Sequence, residues 1–175
     1  PRDEKMLEGQ NVYLRPMERE DMKVYQQMIN SAYISDRVVG WSFPVSEAEQ
    51  NKWFDTVAGD QRNRRFSICK KGSHDAVGMI SLSAIDLHNR KATVGLKLSD
   101  NCEKGVGIGT EALRIMMKYA IDEVNLHRLE ATWLEDNKAS EKLYLKCGWK
   151  IEGKREAAVF RNGKYVNLIE AGFVP

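Results

Sequence analysis

The stretch Leu98-Ser99-Asp100-Asn101-Cys102-Glu103-Lys104-Gly105-Val106-Gly107-Ile108-Gly109-Thr110-Glu111-Ala112 joins a strand-like run to a helical one through three alternate glycines. On its left, Lys91 to Leu98 has strand texture. On its right, Leu113, Met116, Met117, Ala120, Ile121 and Val124 return at helical spacing, which predicts a helix from Thr110 to Val124. Glycine at this density lets successive backbone N–H groups turn towards one ligand. At a helix start those N–H groups have no helical partner and the dipole is positive, so the natural ligand is a phosphate or pyrophosphate. Lys104 adds a local charge. The plainer reading is a flexible turn. A P-loop fails because Thr110-Glu111, not Lys and Ser/Thr, follow Gly109. A dinucleotide fingerprint needs a third glycine where Thr110 stands, although Glu130 imitates its ribose-binding acid.

Away from this loop the elements alternate. Asn11 to Pro16 predicts a first strand, and Arg19 to Ile29 a helix with Met22, Tyr25, Met28 and Ile29 on one face. Ser46 with Glu49 three residues on is a capping-box signature for a second helix, which Gly59 ends. Strands follow at Arg65–Lys70, Ala76–Ala84 and Lys91–Leu98, with gaps short enough for antiparallel hairpins. After the long helix come a strand at Arg128–Leu134, a helix at Asn137–Cys147 stopped by Gly148, and a strand at Trp149–Arg155. A last strand, Lys164–Phe173, follows the Asn162-Gly163 turn. The order predicts one α/β (α+β) domain with a mixed sheet over residues 11–175, preceded by an extension at 1–10.

Composition narrows the function classes. The 175 residues carry 27 Lys plus Arg against 25 Asp plus Glu, a balance without the basic excess of a dedicated nucleic-acid binder. At 42% hydrophobic residues there is enough material for a core, yet no run of about 18 apolar residues that would span a bilayer. Cys69, Cys102 and Cys147 lack metal-ligand spacing and read as reduced thiols, so no metal site is expected. The charged start Pro1-Arg2-Asp3-Glu4-Lys5 leads into no apolar signal core, and a cytoplasmic protein is expected.

Downstream of the glycine loop runs Asn137-Lys138-Ala139-Ser140-Glu141-Lys142-Leu143-Tyr144-Leu145-Lys146-Cys147-Gly148-Trp149. Together the two segments resemble the GNAT superfamily of acetyl-CoA-dependent N-acetyltransferases. The first is similar to the family's Q/R-x-x-G-x-G/A loop, and the second to its N-x-x-A/S-x-x-x-Y-x-x-x-G-F helix. Leu14-Arg15-Pro16, with an acidic helix start at Asp21, resembles the branch of ribosomal-protein N-terminal and spermidine N-acetyltransferases. Two positions depart from the pattern: Lys104 stands where Arg or Gln is usual, and Val106 where a long polar residue is frequent.

The resemblance implies a GNAT-like domain with a splayed central strand pair, about four helices, and direct acetyl transfer to a primary amine in a ternary complex. Lys104, Gly105, Val106, Gly107, Ile108, Gly109 and Thr110 would hold the pyrophosphate, and backbone at Leu96, Lys97 and Leu98 the pantetheine and thioester. Tyr144 matches the family's acid, and a phenol stays protonated at neutral pH. Its alternative is a packed core aromatic. Asn137 and Ser140 are cofactor contacts or, equally, first-turn capping groups. Glu130, with Glu135 behind it, is the candidate general base, or a solvated carboxylate. Tyr33, Arg37 and Trp41, with Phe43, lie in the connection that family members use for the acceptor; they form a wall or a buried plug. The acceptor is a peptide N-terminus or small-molecule amine, with a polyamine or amino sugar as alternatives. No nucleic acid or membrane partner is expected, and a homodimer is compatible. A non-catalytic acyl-CoA sensor and a nucleotide-binding oxidoreductase are the competing classes.

Overall fold

The computed structural model describes residues 7–175; the charged start at 1–5 lies outside them. Strands β1 (Leu7–Glu8) and β2 (Val12–Pro16) lead through a 3₁₀ turn at Arg19–Asp21 to helices α1 (Met22–Asn30), α2 (Ala32–Ser35) and α3 (Glu47–Val57). Then come β3 (Arg64–Lys70), β4 (Ala76–Asp86), β5 (Lys91–Leu98), α4 (Ile108–Asp122), β6 (Arg128–Leu134), α5 (Lys138–Lys146), β7 (Lys150–Arg161) and β8 (Lys164–Phe173). The eight strands form one sheet in the order β1-β2-β3-β4-β5-β6-β8-β7. Every neighbouring pair is antiparallel except β5–β6. The predicted mixed, mostly antiparallel sheet is therefore present, and the antiparallel β4–β5 pair before the glycine loop rules out a Rossmann unit.

Three differences from the sequence reading have local causes. Leu7–Glu8, within the expected extension, adds an edge strand that pairs with Tyr13 and Leu14. Helix α2 is a single turn, too short to show periodicity. Strand β7 runs on to Arg161 because pairing with β8 continues across two register shifts, down to the Asn162-Gly163 turn with both residues in the left-handed region.

Helix α4 lies on one face of the sheet and buries Ala112, Leu113, Met116 and Ala120 completely, against a core that includes Leu14, Ile80 and Leu82. The opposite face is covered by a smaller cluster of Met22, Tyr25, Met28, Ile34 and Ala76. Under it, Arg15 grips Asp21 bidentately at 2.8 and 2.7 Å, and Asp21 Oδ2 also accepts the Ser67 hydroxyl at 2.6 Å. This buried pair fixes the β2–α1 junction, and it removes Asp21 from the acids available to a cationic acceptor. Glu49 is likewise occupied, closing the predicted capping box with Ser46.

Candidate active site

Strands β5 and β6 pair through only three registers, Lys91–Arg128, Ala92–Leu129 and Thr93–Glu130. Beyond Thr93 the strands part, so that Val94–Leu98 has a hydrogen-bonded neighbour only in β4. Backbone groups alternate from side to side along a strand, so half of those between Val94 and Leu98 face the gap. The expected splay is thus a missing stretch of ladder, and it leaves Leu96, Lys97 and Leu98 with backbone donors and acceptors to offer.

The glycines at the end of β5 do different work. Gly105 (φ +77°) and Gly107 (φ +82°) take left-handed backbone, and a Cβ on either would meet no atom within 4 Å. Their requirement is conformational. Gly109 sits inside α4, where a Cβ would press on Leu98 and Leu143 at 3.4 Å; it lets α5 and β5 close against the helix. Glu111 N–H is the first to bond within the turn, to Gly107 O at 3.0 Å. The N–H groups of Ile108, Gly109 and Thr110 therefore have no helical partner and lie at the positive end of the α4 dipole. Ile108 contributes backbone alone, since its side chain is buried in the core. Val106 is exposed.

Tyr144, on α5, is 4% exposed, stacked on Trp133 of β6 at 5.2 Å between ring centroids and edge-on to Trp149 at 4.9 Å. The packed-aromatic reading holds, and among the described residues its hydroxyl has no hydrogen-bond partner. Burial pushes its pKa above the ordinary phenol value, with a smaller contribution from Cys147. Asn137 caps α5 through the Ser140 N–H at 3.2 Å, and its amide donates to Arg37 O at 3.2 Å.

Glu130 occupies the last paired register, just short of the opening. Its Oε1 accepts from Arg128 Nε at 3.0 Å and Lys91 Nζ at 3.2 Å. Burial alone would raise its pKa, but these two cations outweigh it and hold the carboxyl below the usual range. Such a carboxylate is a weaker base than a free one. Glu135 is engaged by the Asn167 amide at 2.7 Å and by Lys154 at 3.6 Å.

The acceptor candidates are not a buried plug. Tyr33, Trp41 and Phe43 are exposed, the last two 64% and 72%, packed edge-to-face at 4.6 Å. Arg37 lies over the Tyr33 ring at 3.6 Å. Lys104 does not stand free beside its loop: its ammonium donates to the Tyr33 hydroxyl at 2.8 Å, which lowers the Tyr33 pKa. Through Lys104–Tyr33 and Asn137–Arg37 the candidate cofactor and acceptor residues touch. Sequence reasoning missed Ser31, bonded to Asp100 at 2.8 Å, and Arg161, whose buried guanidinium takes four carbonyls of the wall. No pattern in the chain distinguishes either.

A parallel pair that parts after Thr93, a glycine-turned start of α4 whose first N–H groups lack helical partners, and a phenol buried against β6 are the features an acyl-transfer site calls for. The chain belongs to the GNAT acetyltransferases: the family described as an acetyltransferase (GNAT) domain matches residues 11–150. It is thus an acyltransferase that uses acetyl-CoA. Spermidine N(1)-acetyltransferase of Escherichia coli strain K12 is 30% identical over 166 residues, covering 94% of this chain and 86% of that protein. A putative ribosomal N-acetyltransferase, YdaF of Bacillus subtilis, is 35% identical over 92 residues, 53% of this chain and 50% of that protein. The spermidine N-acetyltransferase of Vibrio cholerae solved with CoA and spermine has the same fold, with a TM-score of 0.87 at 21% identity over 94% of this chain and 95% of that one. Among the described residues no helix is long and apolar enough to cross a membrane, and no cluster of potential metal ligands occurs.

Proposed function

We propose that the chain transfers the acetyl group of acetyl-CoA to a primary amine of a polyamine such as spermidine. The observation that carries this reading is the near full-length similarity to the Escherichia coli spermidine enzyme. Two exposed carboxylates at the ends of α2 suit a cationic acceptor: Asp36 follows the helix, and Asp100 bonds to Ser31 just before it.

The residues present fit the co-substrate. The free N–H groups of Ile108, Gly109 and Thr110 would hold its pyrophosphate, and the unpaired backbone between Val94 and Leu98 its pantetheine arm. Acetyl-CoA supplies an activated thioester. Backbone N–H groups facing the gap would polarise the acyl carbonyl, and being fixed by the β4 ladder they need no reorganisation. Tyr144 would donate its proton to the departing sulfur; its raised pKa keeps that proton in place through the physiological range. The amine must lose a proton before attack. Glu130 would be only a weak acceptor for it through water, since the Arg128 and Lys91 contacts limit its basicity, and solvent would take the proton as the neutral amine becomes populated. With an acceptor pKa near ~10, the activity is expected to rise with pH as the neutral amine becomes populated.

A thiol-release assay over spermidine, spermine, N-terminal peptides, L-amino acids and amino sugars tests the reading. The expected outcome is a kcat/KM for spermidine at least about tenfold above the peptides, the discrimination of ~1.4 kcal/mol that one extra charge contact supplies. A higher kcat/KM for a peptide N-terminus would overturn the polyamine assignment.

A further inference from the structure

We propose that Arg161 is the positioning residue of the acceptor wall: its guanidinium, brought by the C-terminal hairpin, sets the course of residues 35–40 and thereby the placement of Tyr33, Arg37 and Trp41 for the amine. The proposal rests on the reading of this wall as the amine site.

The argument is an account of carbonyls. A one-turn helix cannot satisfy its own last C=O groups. In α2 and the turn before it, Ser31 O accepts from Ser35 at 2.9 Å, Ala32 O from Asp36 at 3.0 Å, and Ile34 O from Arg37 and Val38 at 2.9 and 3.1 Å. Tyr33 O is taken by the Arg37 side chain at 2.7 Å. Arg37 O accepts the Asn137 amide at 3.2 Å, and four further carbonyls, of Ser35, Val38, Val39 and Gly40, converge on Arg161. Its Nε donates to Ser35 O at 3.2 Å, and one terminal nitrogen shares its two hydrogens among the carbonyls of Val38, Val39 and Gly40 at 2.7, 2.6 and 2.7 Å. The other terminal nitrogen binds Phe160 O at 2.8 Å, tying the fork to its own strand. Arg161 is 8% exposed and, among the described residues, has no carboxylate partner. Its charge is answered by backbone dipoles alone.

The clasped segment also packs into the smaller core through Ile34 and Val38, and beyond Gly40 it carries the exposed residues of the wall. Just past Gly40, among the described residues, no hydrogen bond holds the chain until Asn30 takes both backbone groups of Val45, at 2.8 and 2.9 Å. Trp41 and Phe43 hang between these two anchors, exposed. Upstream, the same segment meets the cofactor side through Asn137 and Lys104. A shift of about 1 Å in such a wall is felt in substrate placement before it is felt in the core. Lysine is no equivalent, since its donors radiate from one point and cannot reach carbonyls on both sides of a planar fork.

The test combines steady-state kinetics with hydrogen exchange. With spermidine as acceptor, R161M is expected to raise the acceptor KM by about tenfold or more and leave the acetyl-CoA KM within about twofold. R161K should recover part of the loss. Exchange over residues 31–45 should quicken while α4 and α5 keep their protection. A folded R161M with parental acceptor KM and exchange would overturn the proposal. So would a uniform loss of kcat, both KM values and protection across the sheet, which marks a residue that only holds the fold together. If R161M does not fold, R161K decides, and parental behaviour there would sink the idea. Should the parent protein not acetylate spermidine, the polyamine reading fails by itself, and the exchange comparison still judges the clasp.

Discussion

The two walls of the site are built on opposite principles. The cofactor side, residues 98–112, is held by its own backbone: two left-handed glycines turn the chain, and the start of α4 offers unpaired N–H groups without any side chain to aim them. The acceptor side, residues 31–45, combines local bonds, such as Arg37 to Tyr33 O and Asn30 to Val45, with long-range ones. It is held by Asp100, Lys104, Asn137 and Arg161, all from other parts of the chain. In the proposed site one wall would serve a ligand whose phosphates do not vary, and its shape comes from backbone conformation. The other would be set by a few replaceable side chains, two of them, Asp100 and Lys104, lent by the first wall.

The largest expected effect lies on the cofactor side. Gly107→Val forces a β-branched residue into left-handed backbone, a strain of ~1–3 kcal/mol, and should weaken CoA binding by about tenfold or more in calorimetry. Because a Cβ there meets no neighbour, the protein should still fold, and exchange in residues 31–45 should stay parental. Loosening of both walls together would erase the contrast. Tyr144→Phe is next: kcat should fall about 10–100-fold with CoA affinity within about twofold. Its melting temperature should not drop, since the hydroxyl has no partner to lose. A parental kcat would remove Tyr144 from the chemistry.

Lys104→Ala probes the seam between the walls. Losing the ammonium over Tyr33 removes an exposed contact worth ~0.5–1 kcal/mol, so both KM values should rise by about two- to fivefold. A change in the acetyl-CoA KM alone would mean the seam carries nothing to the acceptor. The smallest effect is expected for Glu130→Gln, within about threefold in kcat, because the ion-paired carboxylate is already a poor base. Its depressed pKa has a second consequence. Glu130 contributes stability above the usual glutamate range and loses it as pH falls through its folded-state value, so the variant should show a flatter acid limb in thermal melts. A drop in kcat of about a hundredfold would restore Glu130 as the base.

This division also explains what could be read from the chain. Strands Lys91–Leu98, Arg128–Leu134 and Lys164–Phe173 have the bounds that their patterning suggests. The glycine loop is equally legible, because its geometry is local and each glycine appears in the sequence for a backbone reason. Helix α2 is not, since Ala32–Ser35 is one turn fixed by tertiary bonds. Arg161 is the clearest omission: it is one of 27 basic residues, next to an Asn-Gly turn that marks only a hairpin. Its role exists only once the hairpin folds back against a segment more than a hundred residues earlier. Trp41 and Phe43 were open between wall and plug for the same reason, as sequence carries no burial for a loop.

The packing of Tyr144 between Trp133 and Trp149 turns the site into its own optical probe. Both indoles are 2% exposed, within 5.2 and 4.9 Å of the phenol, so tyrosine excitation passes to them before it can be emitted. The emission of these two shielded tryptophans therefore reports the surroundings of the residue proposed as the acid, while Trp41, out in solvent at the acceptor wall, emits at longer wavelength. With Trp53, half-buried under Arg65, replaced by Phe, one spectrum would carry a separate signal from Trp41 and from the pair around Tyr144.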